Sequence, residues 1–189
     1  MLVTFNDVSF KYIDKILLNK VNFTINETDK IGLLGVNGTG KSTLLKLLVN
    51  ELEPTSGIIY KKNNIKIAYL PQETSFVLEN TILEEIARIT KTKEDESFNM
   101  KSILNKLGLI DHERKLKELS GGERQLIIIA RNIIRCKDIL IIDEATSQIS
   151  NNIEDKVIKN IIKYYKDKTV LFVSHKDKTH LFNNIIELN

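Results

Sequence analysis

Apolar and polar residues alternate in short runs along the first part of the chain, with turn residues between the runs. This pattern predicts β-strands at VTFNDVSF (3–10), ILL (16–18), VNFTI (21–25), KIGLLG (30–35), IIY (58–60) and IKIAYL (65–70). A helix is predicted from Lys41 to about Asn50. The sequence therefore opens with a strand-rich part in which one helix is embedded.

The pattern changes to helical spacing from about residue 78 to residue 136. Three segments carry it: LENTILEEIARI, FNMKSILNKLGL and the stretch after the double glycine. The β-branched run IIIARNII would suit a strand, but the length of its segment favours a helix buried nearly all round. From residue 139 strands and helices alternate as ILIID, a helix at about 152–165, TVLFVSH, a further helix and IIELN. Such alternation predicts a mostly parallel sheet flanked by helices.

Composition and charge exclude several classes of protein. The chain has 189 residues, 42% of them hydrophobic and 28% charged, and 28 Lys+Arg against 25 Asp+Glu give a net charge of +3. This mild, dispersed charge does not indicate nucleic-acid binding, so no direct DNA contact is expected. The longest apolar runs are far shorter than a membrane span, and the opening residues do not form a leader. A single cysteine, Cys136, fits a reducing compartment, and we expect a cytoplasmic protein.

The segment GVNGTGKST, residues 35–43, follows an apolar strand and opens a helix, which is the context that a phosphate-binding loop requires. Its glycines let consecutive N–H groups point at phosphate oxygens, where the helix start adds its positive end. An ordinary turn explains one glycine, but it does not explain three of them with Lys-Ser in register. The predicted ATP-binding residues of this loop are Gly35, Asn37, Gly38, Thr39, Gly40, Lys41, Ser42 and Thr43.

Two carboxylates end the apolar strand ILIID. Asp143 is the candidate for the magnesium shell, and Glu144 is placed to polarise an attacking water. An acid-rich helix start is the alternative explanation of this pair. Together with the phosphate loop, the pair favours hydrolysis over binding alone, with ATP and Mg²⁺ as the ligands.

The segment LSGGE, residues 119–123, presents a second helix start. Ser120 and Glu123 fit a capping box, which leaves Gly121 and Gly122 unexplained because glycine is unfavourable in helices. Bare N–H groups at a helix start form an anion site. Since the phosphate loop already holds one nucleotide, this site is expected to serve the γ-phosphate of a nucleotide on another copy.

These motifs together resemble the nucleotide-binding domain of the ATP-binding cassette (ABC) family over nearly the whole chain. The resemblance implies an α/β fold with a P-loop NTPase core, a mostly parallel sheet flanked by helices, an N-terminal antiparallel β part and a helical lobe. It implies one domain over 1–189, with the core at 1–75 and 137–189 and the lobe at 76–136. It also implies a Mg-dependent ATPase that dimerises head to tail, each LSGGE signature closing over the partner's ATP.

Further residues gain roles from the same resemblance. Gln72 in YLPQE resembles the glutamine that contacts Mg²⁺ and the water, and His175 in FVSHK resembles the switch histidine. The implied catalytic residues are thus Glu144, His175 and Gln72, and the implied metal residues are Ser42, Gln72 and Asp143. Tyr12 in SFKY resembles the aromatic that stacks on adenine, with Phe10 as its rival.

The chain departs from the family at Ser150, where the D-loop normally has Asp, so slow turnover or loose coupling between the two sites is expected. The subfamily features disagree, because KIAYLPQE resembles the ribosome-acting ABC-F proteins and DEATS resembles exporter cassettes.

The leading expectation is a transport motor at the inner face of a membrane, paired with a second cassette and a transmembrane subunit. A ribosome-associated ATPase and a non-hydrolysing ATP-dependent binding module are the alternatives.

Overall fold

The computed structural model describes residues 1–69, 75–91, 97–135, 138–143, 151–174 and 179–188. Within these ranges the strands are β1 Val3–Tyr12, β2 Lys15–Ile25, β3 Lys30–Leu34, β4 Ser56–Lys61, β5 Ile67–Ala68, β6 Ile139–Asp143, β7 Thr169–Ser174 and β8 Asn184–Glu187. The helices are α1 Lys41–Leu48, α2 Ile82–Thr90, α3 Ser97–Lys106, α4 Gly121–Arg135 and α5 Asn151–Tyr164. Short 3₁₀ turns occur at Leu116–Glu118 and Thr179–Leu181.

An antiparallel sheet with the strand order β2-β1-β4 forms the N-terminal part. Strands β1 and β2 form a hairpin in which Tyr12 pairs with Lys15 next to the turn. The alternation of buried and exposed residues along β1 shifts between Phe5 and Val8, where the pairing register also shifts and Asp7 has a φ of 49°. A β-bulge of this kind restores the apolar face after one extra residue.

A five-stranded parallel sheet with the order β5-β6-β7-β3-β8 carries the rest of the strands. Its carboxyl ends are level, since Leu34 of β3 pairs with Ser174 of β7, and Asp143 of β6 pairs with Val173. In open α/β sheets this edge is where ligands bind. The two segments that follow β3 and β6 therefore start at one edge of the sheet.

Two hydrophobic clusters lie on opposite faces of this sheet. Ile139 and Ile141 of β6 pack into a cluster with α1 and the antiparallel sheet. Leu140 and Ile142 face the other cluster, which holds helices α2, α3, α4 and α5. Because side chains alternate along a strand, β6 supplies both cores and is buried on both faces.

The predicted α/β class, with its parallel sheet and antiparallel part, is confirmed. Three element boundaries were wrong. Strand β2 is one strand where two runs were predicted, strand β5 has two residues where six were predicted, and within residues 179–183 the predicted helix is only a 3₁₀ turn. The division into a core and a helical lobe stays a prediction, and its boundary at 136/137 lies outside the described residues.

Helix length and apolarity bear on membrane insertion. Among the residues that the structure describes, no helix combines the length and the apolarity needed to cross a bilayer.

Candidate functional site

The phosphate loop connects the end of β3 to the start of α1. Gly38 and Gly40 have φ angles of 86° and 96°, which place both in the left-handed region that glycine adopts readily. Gly40 is the N-cap of α1, and its carbonyl accepts the first helical hydrogen bond from Leu44 N at 2.8 Å. The sequence folds here into a glycine turn that leads directly into a helix, and the helix's positive end faces the loop.

Lys41, the first residue of α1, folds its side chain back over this loop. Its Nζ donates to the carbonyl oxygens of Gly35 at 2.7 Å and Val36 at 3.0 Å, and the residue is only 5% exposed. The ammonium group is therefore held at the centre of the loop. A phosphate oxygen offers a stronger, charged acceptor at this place.

An open cleft of about 180 Å³ lies in front of the loop. Its walls are Leu17, Asn37, Gly38, Gly40, Lys41, Ser42 and Thr43. Six of these seven residues belong to the predicted phosphate-binding set. Leu17, on strand β2, also lines the cleft, and no sequence motif marks it.

The hairpin of β1 and β2 touches the loop through its backbone. A Cβ atom at Gly40 would lie 2.8 Å from the Leu17 carbonyl oxygen, so only glycine fits there without displacing the hairpin. Tyr12 lies at the apex of this hairpin with 65% of its surface exposed. Its rival Phe10 is buried in the core cluster, which leaves Tyr12 as the accessible aromatic.

Asp143 ends β6 at the same edge of the sheet, two strands away from β3, which corresponds to about 10 Å. The Tyr69 hydroxyl donates to Asp143 Oδ2 at 3.3 Å. Burial, together with the Asp143 carboxylate, raises the pKa of Tyr69 above its ordinary value, so the hydroxyl stays a donor. Tyr69 carries no signal in the sequence, because no local pattern connects residues so far apart along the chain.

The donor chemistry of this edge fits Mg²⁺. Magnesium is bound through one or two carboxylates together with substrate phosphates, and Asp143 and the Ser42 hydroxyl supply hard oxygen donors. Over the described part of the chain, His, Cys, Asp and Glu form no cluster of three or more that would hold a metal by itself. This donor set fits a metal that is shared with a nucleotide.

The signature forms the capping box that its sequence predicts. Glu123 N donates to Ser120 Oγ at 3.2 Å, and the backbone N and Oγ of Ser120 both donate to Glu123 Oε2 at 2.9 Å. Ser120 and Gly121 are exposed to solvent. The signature residues are not among those that line the phosphate-loop cleft.

Arg114, in the loop before α4, binds the same carboxylate and was not identified from the sequence. Its Nη1 donates to Glu123 Oε1 at 2.7 Å. The hydrogen bond from the Ser120 backbone, followed by that from Arg114, lowers the pKa of Glu123. The first turn of α4 is therefore fixed by an ionised carboxylate.

Several predicted residues lie outside the described residues. These are Gln72, Glu144 and His175, together with the departure at Ser150 and the single Cys136. The described part of the chain therefore holds the phosphate loop, Asp143, Tyr12 and the signature.

Comparisons with known proteins agree on one family. A family model described as ABC transporter matches residues 18–147. The chain is 33% identical over 193 residues to the lactococcin-A transport/processing ATP-binding protein LcnC of Lactococcus lactis subsp. lactis, with 90% of this chain and 27% of LcnC covered. It is 32% identical over 179 residues to the zinc import ATP-binding protein ZnuC of Ehrlichia ruminantium (strain Gardel), with coverages of 92% and 74%.

A solved structure shares the fold. The dimeric, post-hydrolysis state of the ATP-binding cassette MJ0796 bound to ADP and Pi superposes with a TM-score of 0.81 at 24% identity, covering 100% of this chain and 94% of that chain. The chain spans 27% of the length of LcnC and about three quarters of the length of ZnuC.

Proposed function

Because the chain belongs to the ABC transporter family, we propose that it is an ATP-binding and ATP-hydrolysing cassette that pairs head to tail with a second cassette around Mg-ATP. Closure and opening of this pair would drive a coupled process. Membrane transport through a separate transmembrane partner is the process that we favour.

One relationship supports the pairing above all others. In the described part of the chain, two helices start at glycines, α1 after Gly40 and α4 at Gly121, and the first of these starts lines the cleft of the phosphate loop. The second, at Ser120, is exposed to solvent. A nucleotide held in the cleft by one copy thus offers its γ-phosphate to the exposed helix start of another copy.

The proposed roles follow from the chemistry of each group. The Lys41 ammonium would exchange its two carbonyl partners for phosphate oxygens, and the loop's N–H groups would hold the β-phosphate. Ser42 and Asp143 would hold Mg²⁺, which neutralises developing charge on the phosphates when it is bound. Tyr12 would stack on adenine, and by family resemblance Gln72, Glu144 and His175 would position and polarise the water.

The names of the relatives support transport as the coupled process. LcnC is named for lactococcin-A transport and processing, and ZnuC for zinc import. Neither name supports the ribosomal alternative. We place the protein at the inner face of a membrane, bound to a transmembrane subunit, and its recovery with membranes or with ribosomes separates the two possibilities.

The decisive experiment uses Glu144→Gln, which keeps the size of the side chain and removes the proposed catalytic carboxylate. At saturating Mg-ATP this variant should elute from a sizing column as a dimer and release no phosphate. Glu53→Gln, the same change at an exposed position, should hydrolyse ATP as the unmodified chain does. A Glu144→Gln chain that stays monomeric would contradict the pairing, and an unmodified chain without Mg-dependent phosphate release would favour the non-hydrolysing module.

A further inference from the structure

Tyr69 directly follows strand β5, and Asp143 ends the neighbouring parallel strand β6. Their side chains are in contact past the last residue pair of β5 and β6. Strands β5 and β6 pair with Ile67 opposite Ile139 and Ala68 opposite Leu140. Tyr69 follows directly, and its hydroxyl reaches Asp143 Oδ2 at 3.3 Å. The contact joins residues 74 positions apart in the chain, so the sheet topology alone brings them together.

The ring of Tyr69 is held by packing and its hydroxyl by the carboxylate. The side chain is half-buried and packs against the cluster that contains α1 and the inward side chains of β3. Since a carboxylate only accepts hydrogen bonds, the hydroxyl is the donor. A donor on one carboxylate oxygen restricts rotation of the whole group, because both oxygens turn together about the Cβ–Cγ bond.

We propose that Tyr69 is a positioning residue for the metal-binding carboxylate of Asp143. The hydroxyl fixes the orientation in which Asp143 meets Mg-ATP, as outer-shell donors do for ligating carboxylates in metalloproteins. This inference rests on the proposed function, because it takes Asp143 as a group that acts on Mg²⁺.

The same hydrogen bond connects Asp143, the proposed metal ligand, to the chain segment that leads to Gln72. Tyr69 lies three residues before Gln72, within about 10 Å along an extended chain. The hydrogen bond therefore anchors the start of that segment to Asp143.

The test is Tyr69→Phe, which keeps the ring and removes the hydroxyl. Binding of a fluorescent ATP analogue is measured first in EDTA and then across a Mg²⁺ titration. We expect affinity in EDTA to stay within about twofold. The Mg²⁺ concentration that gives half of the metal-dependent change should rise about tenfold, the lower end for outer-shell changes, because the bond is longer than the usual O–H···O distance.

Two matched variants complete the experiment. Tyr60→Phe, the same change on the exposed face of β4, should leave the Mg²⁺ requirement unchanged. In an Asp143→Asn background, Tyr69→Phe should add less than twofold, since the charged acceptor is gone.

Each contrary result has a distinct meaning. An unchanged Mg²⁺ requirement in Tyr69→Phe overturns the inference, as does an equal loss of affinity in EDTA and in Mg²⁺. Failure of the unmodified chain to bind the nucleotide analogue would instead overturn the proposed function. EPR of bound Mn²⁺ offers a readout that is independent of fluorescence, and a spectrum unaltered by Tyr69→Phe would also count against the inference.

Discussion

Arg114 and Ser120 are joined through the side chain of Glu123, which accepts from Arg114 Nη1 on Oε1 at 2.7 Å and from Ser120 on Oε2 at 2.9 Å. Arg114 also donates to the Glu118 carbonyl oxygen at 3.2 Å. The loop before α4 and the first turn of α4 thus share one carboxylate. The cap of this helix is therefore also the link that fixes the preceding loop.

Helices α2 and α4 begin with the same kind of capping box, which allows the structural and functional roles of the signature serine to be separated. Thr81 and Glu84 cap α2 as Ser120 and Glu123 cap α4. Thr81→Ala and Ser120→Ala should each lower the free energy of unfolding by about 1 kcal/mol in urea titrations. Only Ser120→Ala should weaken ATP-dependent dimerisation of a Glu144→Gln chain. Equal loss of dimerisation in both variants would show that the serine serves only as a cap.

Lys41 and Lys46 lie on the same helix but differ in environment. Lys41 is buried over the phosphate loop, whereas Lys46 is exposed. Lys41→Ala should weaken ATP binding about 10- to 100-fold, because hydrogen bonds to charged groups contribute about 1.5–3 kcal/mol. Lys46→Ala removes the same charge and should change the affinity less than twofold. Titration with a fluorescent nucleotide measures both, and unchanged binding in Lys41→Ala would mean that the loop does not hold the phosphates.

Glu85 is fully buried and predicts a loss of stability in acid. Burial alone would raise its pKa, but hydrogen bonds from Arg88, Asn80 and the Val77 N–H outweigh burial and lower the pKa below its ordinary 4.5. A carboxyl group whose pKa is lower in the folded state stabilises the fold above its unfolded pKa. That stability should therefore be present at pH 7 and lost progressively as the pH falls below 4.5.

Urea unfolding at pH 7 and pH 4 measures this effect. Glu85→Gln should be less stable than the unmodified chain at pH 7 and should lose less stability on acidification. Glu53→Gln, at an exposed position, serves as the control and should keep the original pH dependence. An identical decline in Glu85→Gln would assign the acid sensitivity to other groups.

Local sequence patterns predicted the fold class and failed where pairing between strands decides the outcome. The polar pair Asn19-Lys20 separates two apolar runs in the sequence, yet both runs belong to strand β2. The strand continues across the pair because Lys20 adopts a φ of 47° and the pairing register with β1 shifts nearby. The run IKIAYL has the composition of a full strand. Within its described residues, 65–69, Ile67 and Ala68 are the ones that pair with β6, and β5 lies at the edge of the described sheet.

The site shows the same division between local and long-range information. Phosphate-loop residues are close in sequence, and six of the eight residues predicted from the motif line one cleft. Leu17, Tyr69 and Arg114 reach the functional residues from other elements, and no spacing rule marks them. Such contacts follow from the packing of the sheets and become visible only in three dimensions.

The close approach of the Leu17 carbonyl to Gly40 has a consequence for which molecules the protein selects. Tyr12 lies five residues before Leu17 on the same hairpin, so the contact at Gly40 connects the hairpin tip that carries the exposed Tyr12 ring to the phosphate loop. In the proposed function, a nucleotide would reach both places, with its base on Tyr12 and its phosphates at the loop. On that proposal, free purine or free phosphate would contact only one of the two places, so the length of the ligand would also decide what binds.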